Sequence, residues 1–196
     1  MKGIISDSIS HPHALSLLKS EYIMNYDVLL FYDFVTDMPK KDSVIYLNLT
    51  YQGMPMLFLH HAICSFQQWD GYKQLIGGKY IEQEYASDPD EISDYQNDLD
   101  LQIKVANNKH PVTRGVSDFT IHDEGYSNIQ MRGGITPLLQ TDHPECSSIV
   151  GWVNHFDRST CIYLMFGHDQ QAYLNKNFRQ LIENSILWLA IDQQRL

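Results

Sequence analysis

The chain has 196 residues, 43% hydrophobic and 12% aromatic, with 24 acidic against 14 basic side chains and a formal net charge of −10. That apolar content can fill a packed core and excludes a disordered chain. The negative balance repels phosphate backbones and anionic lipid, which sets nucleic acid and membrane aside; a neutral sugar or small metabolite fits better, although charge alone does not select it. The length fits one domain over residues 1–196. No apolar run reaches the roughly 18 residues of a membrane span, and the opening Met1-Lys2-Gly3-Ile4-Ile5 lacks the apolar core of a signal peptide. Cys64, Cys146 and Cys161 are widely spaced and form no CxxC pair, so neither a disulfide framework nor a zinc ribbon is expected, and a reducing cytoplasm is the expected compartment.

Taken in chain order, a short helical pattern over residues 13–20 precedes an apolar run at 27–32. A helix is predicted over 43–52 with Gly53 as its stop, followed by a second apolar run at 54–59. Residues 66–76 carry Trp69, Tyr72, Lys73 and Ile76 at helical spacing and end at Gly77-Gly78. Residues 88–100 are acidic and polar, the pattern of a solvated surface loop. Strands are predicted at 101–106, 136–141 and 149–155, and a third apolar run covers 160–166. An amphipathic helix over 177–191, with Phe178, Leu181, Ile182, Ile186 and Leu189 on one face, closes the chain. Apolar runs without alternation imply strands covered on both faces, as in a mostly parallel sheet, and alternation of strand with helix implies a doubly wound α/β fold.

In such sheets ligands bind beyond the carboxyl ends of the strands, and three polar clusters fall there. His60 and His61 follow the second apolar run, at the position of a nucleophile elbow, but the elbow glycines are absent and a histidine stands in place of a nucleophile. Cys64, four residues beyond His60, is a weaker nucleophile candidate and would need a histidine, such as His168, to lower its pKa. Gly167-His168-Asp169 follows the third run. Two further stretches, Ile121-His122-Asp123-Glu124-Gly125-Tyr126 and Thr141-Asp142-His143-Pro144, read as loops. They offer Glu124 as an acid or base and His143 as a ligand or a turn residue. His60, His61, His143 and His168 are metal-ligand candidates for a divalent ion, with Glu124 as an oxygen donor. Trp69, Tyr126 and Trp152 are aromatics able to stack on a sugar face, although aromatics at such spacing more often fill the core.

Together, several short stretches resemble the ThuA-like (trehalose utilisation) family. They are Phe58-Leu59-His60-His61-Ala62-Ile63, Trp69-Asp70 with Tyr72, Leu75-Ile76-Gly77-Gly78-Lys79-Tyr80, His110-Pro111-Val112-Thr113-Arg114-Gly115, Asp123-Glu124 with Tyr126, Thr141-Asp142-His143-Pro144, Gly151-Trp152, and Gly167-His168-Asp169. The C-terminal Phe178-Arg179 through Ile186 and Trp188 also match. The resemblance implies a flavodoxin-like, class I glutamine-amidotransferase-like three-layer sandwich with a mostly parallel sheet. It further implies a part in carbohydrate metabolism, as a hydrolase or lyase on trehalose-type disaccharides or their 3-keto derivatives. His168 and Glu124 are then the catalytic candidates, and His60, His61, Trp69, Tyr126, His143 and Trp152 the substrate-binding ones. The alternative is a non-catalytic module binding a carbohydrate or a protein, and a homo-oligomer is compatible with either. His168 stands near the triad histidine of related amidotransferases, but their elbow cysteine has no counterpart at His60 or His61, so glutaminase chemistry is not expected. Relative to the family, a strand and helix ahead of the segment matching residues 4–20 are missing, and in a 2-1-3-4-5 strand order that strand would be central.

Overall fold

The computed structural model describes residues 3–192. Nine strands occur among them: β1 (Leu29–Phe31), β2 (Met56–Leu59), β3 (Gly78–Lys79), β4 (Asp94–Val105), β5 (Phe119–Ser127), β6 (Gln130–Met131), β7 (Thr136–Thr141), β8 (Ile149–Phe156) and β9 (Ser159–Leu164). Five α-helices accompany them: α1 (Ala14–Leu18), α2 (Ser43–Tyr51), α3 (Asp70–Ile76), α4 (Gln170–Leu174) and α5 (Lys176–Asp192). Seven strands make one sheet in the order β1-β2-β9-β8-β7-β4-β5, and β3 pairs with β6 in a separate ribbon.

The α/β reading holds, but the sheet is mixed, which corrects the expectation of a mostly parallel one. Only β1 with β2 and β2 with β9 run parallel. From β9 outward, β8, β7, β4 and β5 pair antiparallel in succession. The cause is local: Asp157 and Arg158 join β8 to β9, too short a link for a parallel crossover, and Asp157 takes the left-handed conformation (φ 55°) that closes a tight hairpin. β1 pairs directly with β2, so no strand lies between them.

Every residue of β2 and β9 is buried, the physical reason their sequences read as unbroken apolar runs. α2 and α3 pack toward β9 and α5 toward β2. Trp152 of β8 is wholly enclosed, stacks against Tyr163 with ring centroids 4.4 Å apart, and donates its indole N–H to the Ile76 carbonyl (2.8 Å) at the end of α3. α3 begins only at Asp70, because Phe66 sits at φ 53° and interrupts the helical turn expected from residue 66.

The acidic segment expected as a surface loop is instead mostly strand. From Asp94 to Asp100 it forms the outer half of β4, paired with β5 and displaying its carboxylates to solvent. β5, read as a loop, is a nine-residue strand. The β4–β5 register shifts between Gln96 and Leu99, with Asp98 at φ 58°. Opposite that bulge, burial in β5 ceases to alternate and Asp123, Glu124, Gly125 and Tyr126 are all enclosed. Bulges of this kind re-aim side chains and recur beside functional sites.

The close approach of α3 to β8 fixes one glycine. Gly77 caps α3 at φ 93°, and a Cβ there would lie 2.6 Å from Trp152 Nε1 and 2.9 Å from Asn154 Cβ. Gly115 has the same sign of φ (74°) but open space around it. Gly77→Ala should therefore cost about 2–4 kcal/mol of unfolding free energy, combining left-handed strain with overpacking, and Gly115→Ala about 1 kcal/mol from strain alone. Urea unfolding followed by tryptophan fluorescence measures both, and equal losses would contradict the packing account.

Candidate active site

The chain leaves β2 through a sharp turn whose first residue, His60, adopts φ 51°. A left-handed non-glycine residue at a strand end is the backbone signature of an elbow, and it persists only where its surroundings hold it. Two hydrogen bonds hold this one. The His60 carbonyl accepts from the buried Tyr163 hydroxyl (3.0 Å), and His60 Nδ1 lies 2.8 Å from the Met165 carbonyl. A carbonyl can only accept, so Nδ1 carries a proton and Nε2 is turned the other way.

The face that Nε2 meets is built by β5. Tyr126 stacks on the His60 ring (centroids 5.2 Å apart), and its hydroxyl lies 3.1 Å from Nε2. Glu124 Oε2 lies 3.3 Å from the same nitrogen and 3.7 Å from His168 Nδ1. His60 is 1% exposed, whereas the His168 side chain is 48% exposed, so the cluster is enclosed on the His60 side and open on the His168 side.

Asp123 fixes the position of His168. Its carboxylate accepts from the backbone N–H of Gly167 (2.8 Å), of His168 (3.0 Å) and of Glu124 (2.8 Å). Gly167 itself stands at φ 127°, and a Cβ there would lie 2.8 Å from the Tyr173 hydroxyl. The Tyr32 hydroxyl, at the end of β1, donates to the Gly167 carbonyl (2.7 Å) from the opposite side. Asp169 caps α4, accepting from Gln171 and Ala172 N–H groups, and is thereby occupied structurally.

Charge follows from these contacts. Burial alone would raise the Glu124 pKa, but the contact with His60, the hydrogen bond from Tyr126 and the nearby imidazoles outweigh it and leave the carboxyl below its ordinary value. Glu124 is therefore a carboxylate at neutral pH, suited to accepting a proton. Burial raises the Asp123 pKa, against the opposing pull of its three N–H donors. Burial raises the Tyr126 phenol and keeps it a neutral donor.

Not all candidate residues meet here. Among the described residues, the convergent nitrogen and oxygen donors are those of His60, Glu124 and His168. His61 turns aside to stack on Tyr32 (4.4 Å) and Phe34 (5.9 Å), and burial lowers its pKa. His143 Nδ1 accepts from the Glu145 N–H (3.3 Å) and closes a turn beyond β7. Trp69 packs on Tyr46, Phe66 and Tyr72, and Trp152 lies in the core with its N–H engaged. Cys64 is buried, and desolvation lifts its thiol well above the usual range, the opposite of an activated nucleophile. The sequence reading passed over Asp123 as a positioning group and over Tyr32, Phe34 and Tyr173. Tyr32 closes an apolar run, and its place at a strand's carboxyl end was the available signal.

A model of the trehalose utilisation family, ThuA, matches residues 6–189. The chain belongs to that family. Solved ThuA-like proteins share its fold. One from Parabacteroides merdae is 14% identical with a TM-score of 0.73, over 90% of this chain and 74% of that one. Another from Bacteroides uniformis is 17% identical with a TM-score of 0.68, over 89% and 74%. A β-galactosidase from Bacillus circulans sp. alkalophilus contains a similar fold, at 12% identity and a TM-score of 0.60, over 90% of this chain but 24% of the enzyme. No match is found among curated proteins. No helix of the described residues of this ThuA-family chain is long and apolar enough to cross a membrane.

Two outcomes test the geometry. Asp123→Asn turns an amide N–H₂ toward backbone donors, so it should cost about 1–3 kcal/mol in chemical denaturation. An unchanged midpoint would show that the tie between β5 and the Gly167–His168 turn carries no weight. In an NMR titration of the histidine rings, His61 should titrate below the usual 6.5 or so and His122 above it, because Asp100 accepts from His122. The signs for stability are opposite. The contribution of His61 is present above its unfolded value and is lost as pH falls toward its lower folded value. That of His122 is present below its unfolded value and is lost as pH rises through its higher folded one. The reverse order of titration would refute these assignments.

Proposed function

We propose that the chain is a sugar-active enzyme, a hydrolase or lyase for trehalose-type disaccharides or their 3-keto derivatives, working through His60, Glu124, Tyr126 and His168. The supporting observation is the convergence of Glu124 Oε2 on His60 Nε2 (3.3 Å) and His168 Nδ1 (3.7 Å) beyond the ends of β2 and β9, with solvent on one side. An ionised carboxylate beside a solvent-facing imidazole is a base paired with an acid. A 3-keto sugar suits such a pair. The ketone acidifies the neighbouring C2–H, so a base removes that proton and the electron pair moves into the C3 carbonyl. Its return forms the C1–C2 double bond and breaks the bond to the departing sugar oxygen, which takes a proton from the acid.

Glu124 is the base in this reading, His168 protonates the leaving oxygen, and Tyr126 with His60 orients Glu124. The aromatics placed to stack on a sugar ring are Tyr32 and Phe34, both exposed at the end of β1 beside His61. Glu124→Gln and His168→Ala should each reduce turnover of 3-ketotrehalose at least about 100-fold, since proton transfer by a positioned group contributes roughly 10²–10⁴-fold. His143→Ala, at a separate turn, should leave turnover within about twofold. Wild-type rates in both site variants, measured by release of glucose, would end this assignment.

A further inference from the structure

We propose that His60 Nε2, Glu124 Oε2 and His168 Nδ1 form a three-ligand site for a divalent transition-metal cation of the zinc type. The Met165 carbonyl fixes the His60 proton on Nδ1, so a neutral His60 presents a lone pair at Nε2. That lone pair faces a carboxylate oxygen, and the His168 ring nitrogen faces the same oxygen. The single Tyr126 hydroxyl proton can satisfy only one acceptor of this group. Where His168 carries its proton on Nε2, all of these atoms are acceptors, and a positive charge between them, either an added proton or a cation, balances them.

The two nitrogen–oxygen separations suit a cation. Zinc binds nitrogen and oxygen ligands at about 2.0–2.2 Å in tetrahedral array, which separates neighbouring ligand atoms by roughly 3.3–3.6 Å. The two nitrogen–oxygen separations are 3.3 and 3.7 Å, and all three donor atoms lie within 4.8 Å of one another. Two histidines and a glutamate are a catalytic rather than a structural ligand set, because the fourth position stays open. Here the open side is that of the exposed His168. The outer shell is also in place. Metal-bound histidines donate their other N–H to a carbonyl or carboxylate, as His60 does to Met165, and Asp123 holds the His168 backbone.

This inference rests on reading the pocket as the reaction site. With a cation bound, the keto oxygen of the sugar would be polarised directly, and the proton movement assigned to Glu124 and His168 would run through a water at the open position.

The test is titration of the metal-stripped full chain with Zn²⁺ by calorimetry, with Co²⁺ as a spectroscopic stand-in. Wild type should bind one equivalent and give the visible absorption of tetrahedral Co²⁺. Glu124→Gln should weaken binding by more than the roughly 10–100-fold that loss of an outer-shell partner costs. His168→Ala, at a half-exposed position, should do the same without disturbing the core, and circular dichroism checks the fold of each. His122→Ala, on the acidic β4–β5 ribbon with Asp98 and Asp100, should bind as wild type does. Absence of stoichiometric binding, or binding lost in His122→Ala and retained in Glu124→Gln, would overturn the site. Metal binding and sugar turnover fail separately. A bound cation with no turnover of 3-keto sugars keeps the site and removes the reaction, whereas turnover by a protein that binds no stoichiometric cation keeps the reaction and removes the site.

Discussion

The Asp123 carboxylate joins two parts of the chain 44 and 45 residues apart by accepting the Gly167 and His168 N–H groups. The rest of the site depends on that tie. It sets the turn after β9 against β5, so that Glu124, the next residue, reaches both His60 and His168. Burying a carboxylate is costly without partners, and three backbone donors supply them. The tie also explains why Gly167 tolerates no side chain: Tyr32 holds its carbonyl and Tyr173 fills the space where a Cβ would go.

Two kinds of sheet meet at this point. The parallel half, β1, β2 and β9, presents strand ends as binding sites in the ordinary α/β manner. The antiparallel half continues through β8, β7 and β4 to β5, whose polar side chains meet those ends opposite the bulge in β4. His60 and His168 thus come from the parallel half, and Glu124 and Tyr126 from the antiparallel half. Neither half alone contains the cluster.

The legible parts of the sequence follow this division. β2 and β9 were readable because burial on both faces leaves only apolar residues, His60 because it directly follows such a run, and His168 because only Gly167 separates it from one. β5 was not, because its buried residues include Asp123 and Glu124, which are satisfied by hydrogen bonds instead of being exposed. The outer half of β4 misled in the other direction: its acidic residues line a solvent-facing strand and resemble a loop. The antiparallel pairing of β8 and β9 did leave a signal, only four residues between the strand-like runs at 149–155 and 160–166, too few for a parallel crossover. Trp69, Trp152 and His143 were plausible by residue type alone, and only their packing separates them from the cluster.

The most direct test of the central claim, that His60 and His168 share one ligand-binding site, is to follow the histidine ring resonances of the slow Glu124→Gln variant during titration with 3-ketotrehalose. The His60 and His168 signals should shift together along one saturable curve while those of His122, His143 and His155 stay fixed. Shifts confined to those three, or His60 and His168 responding at different sugar concentrations, would contradict it.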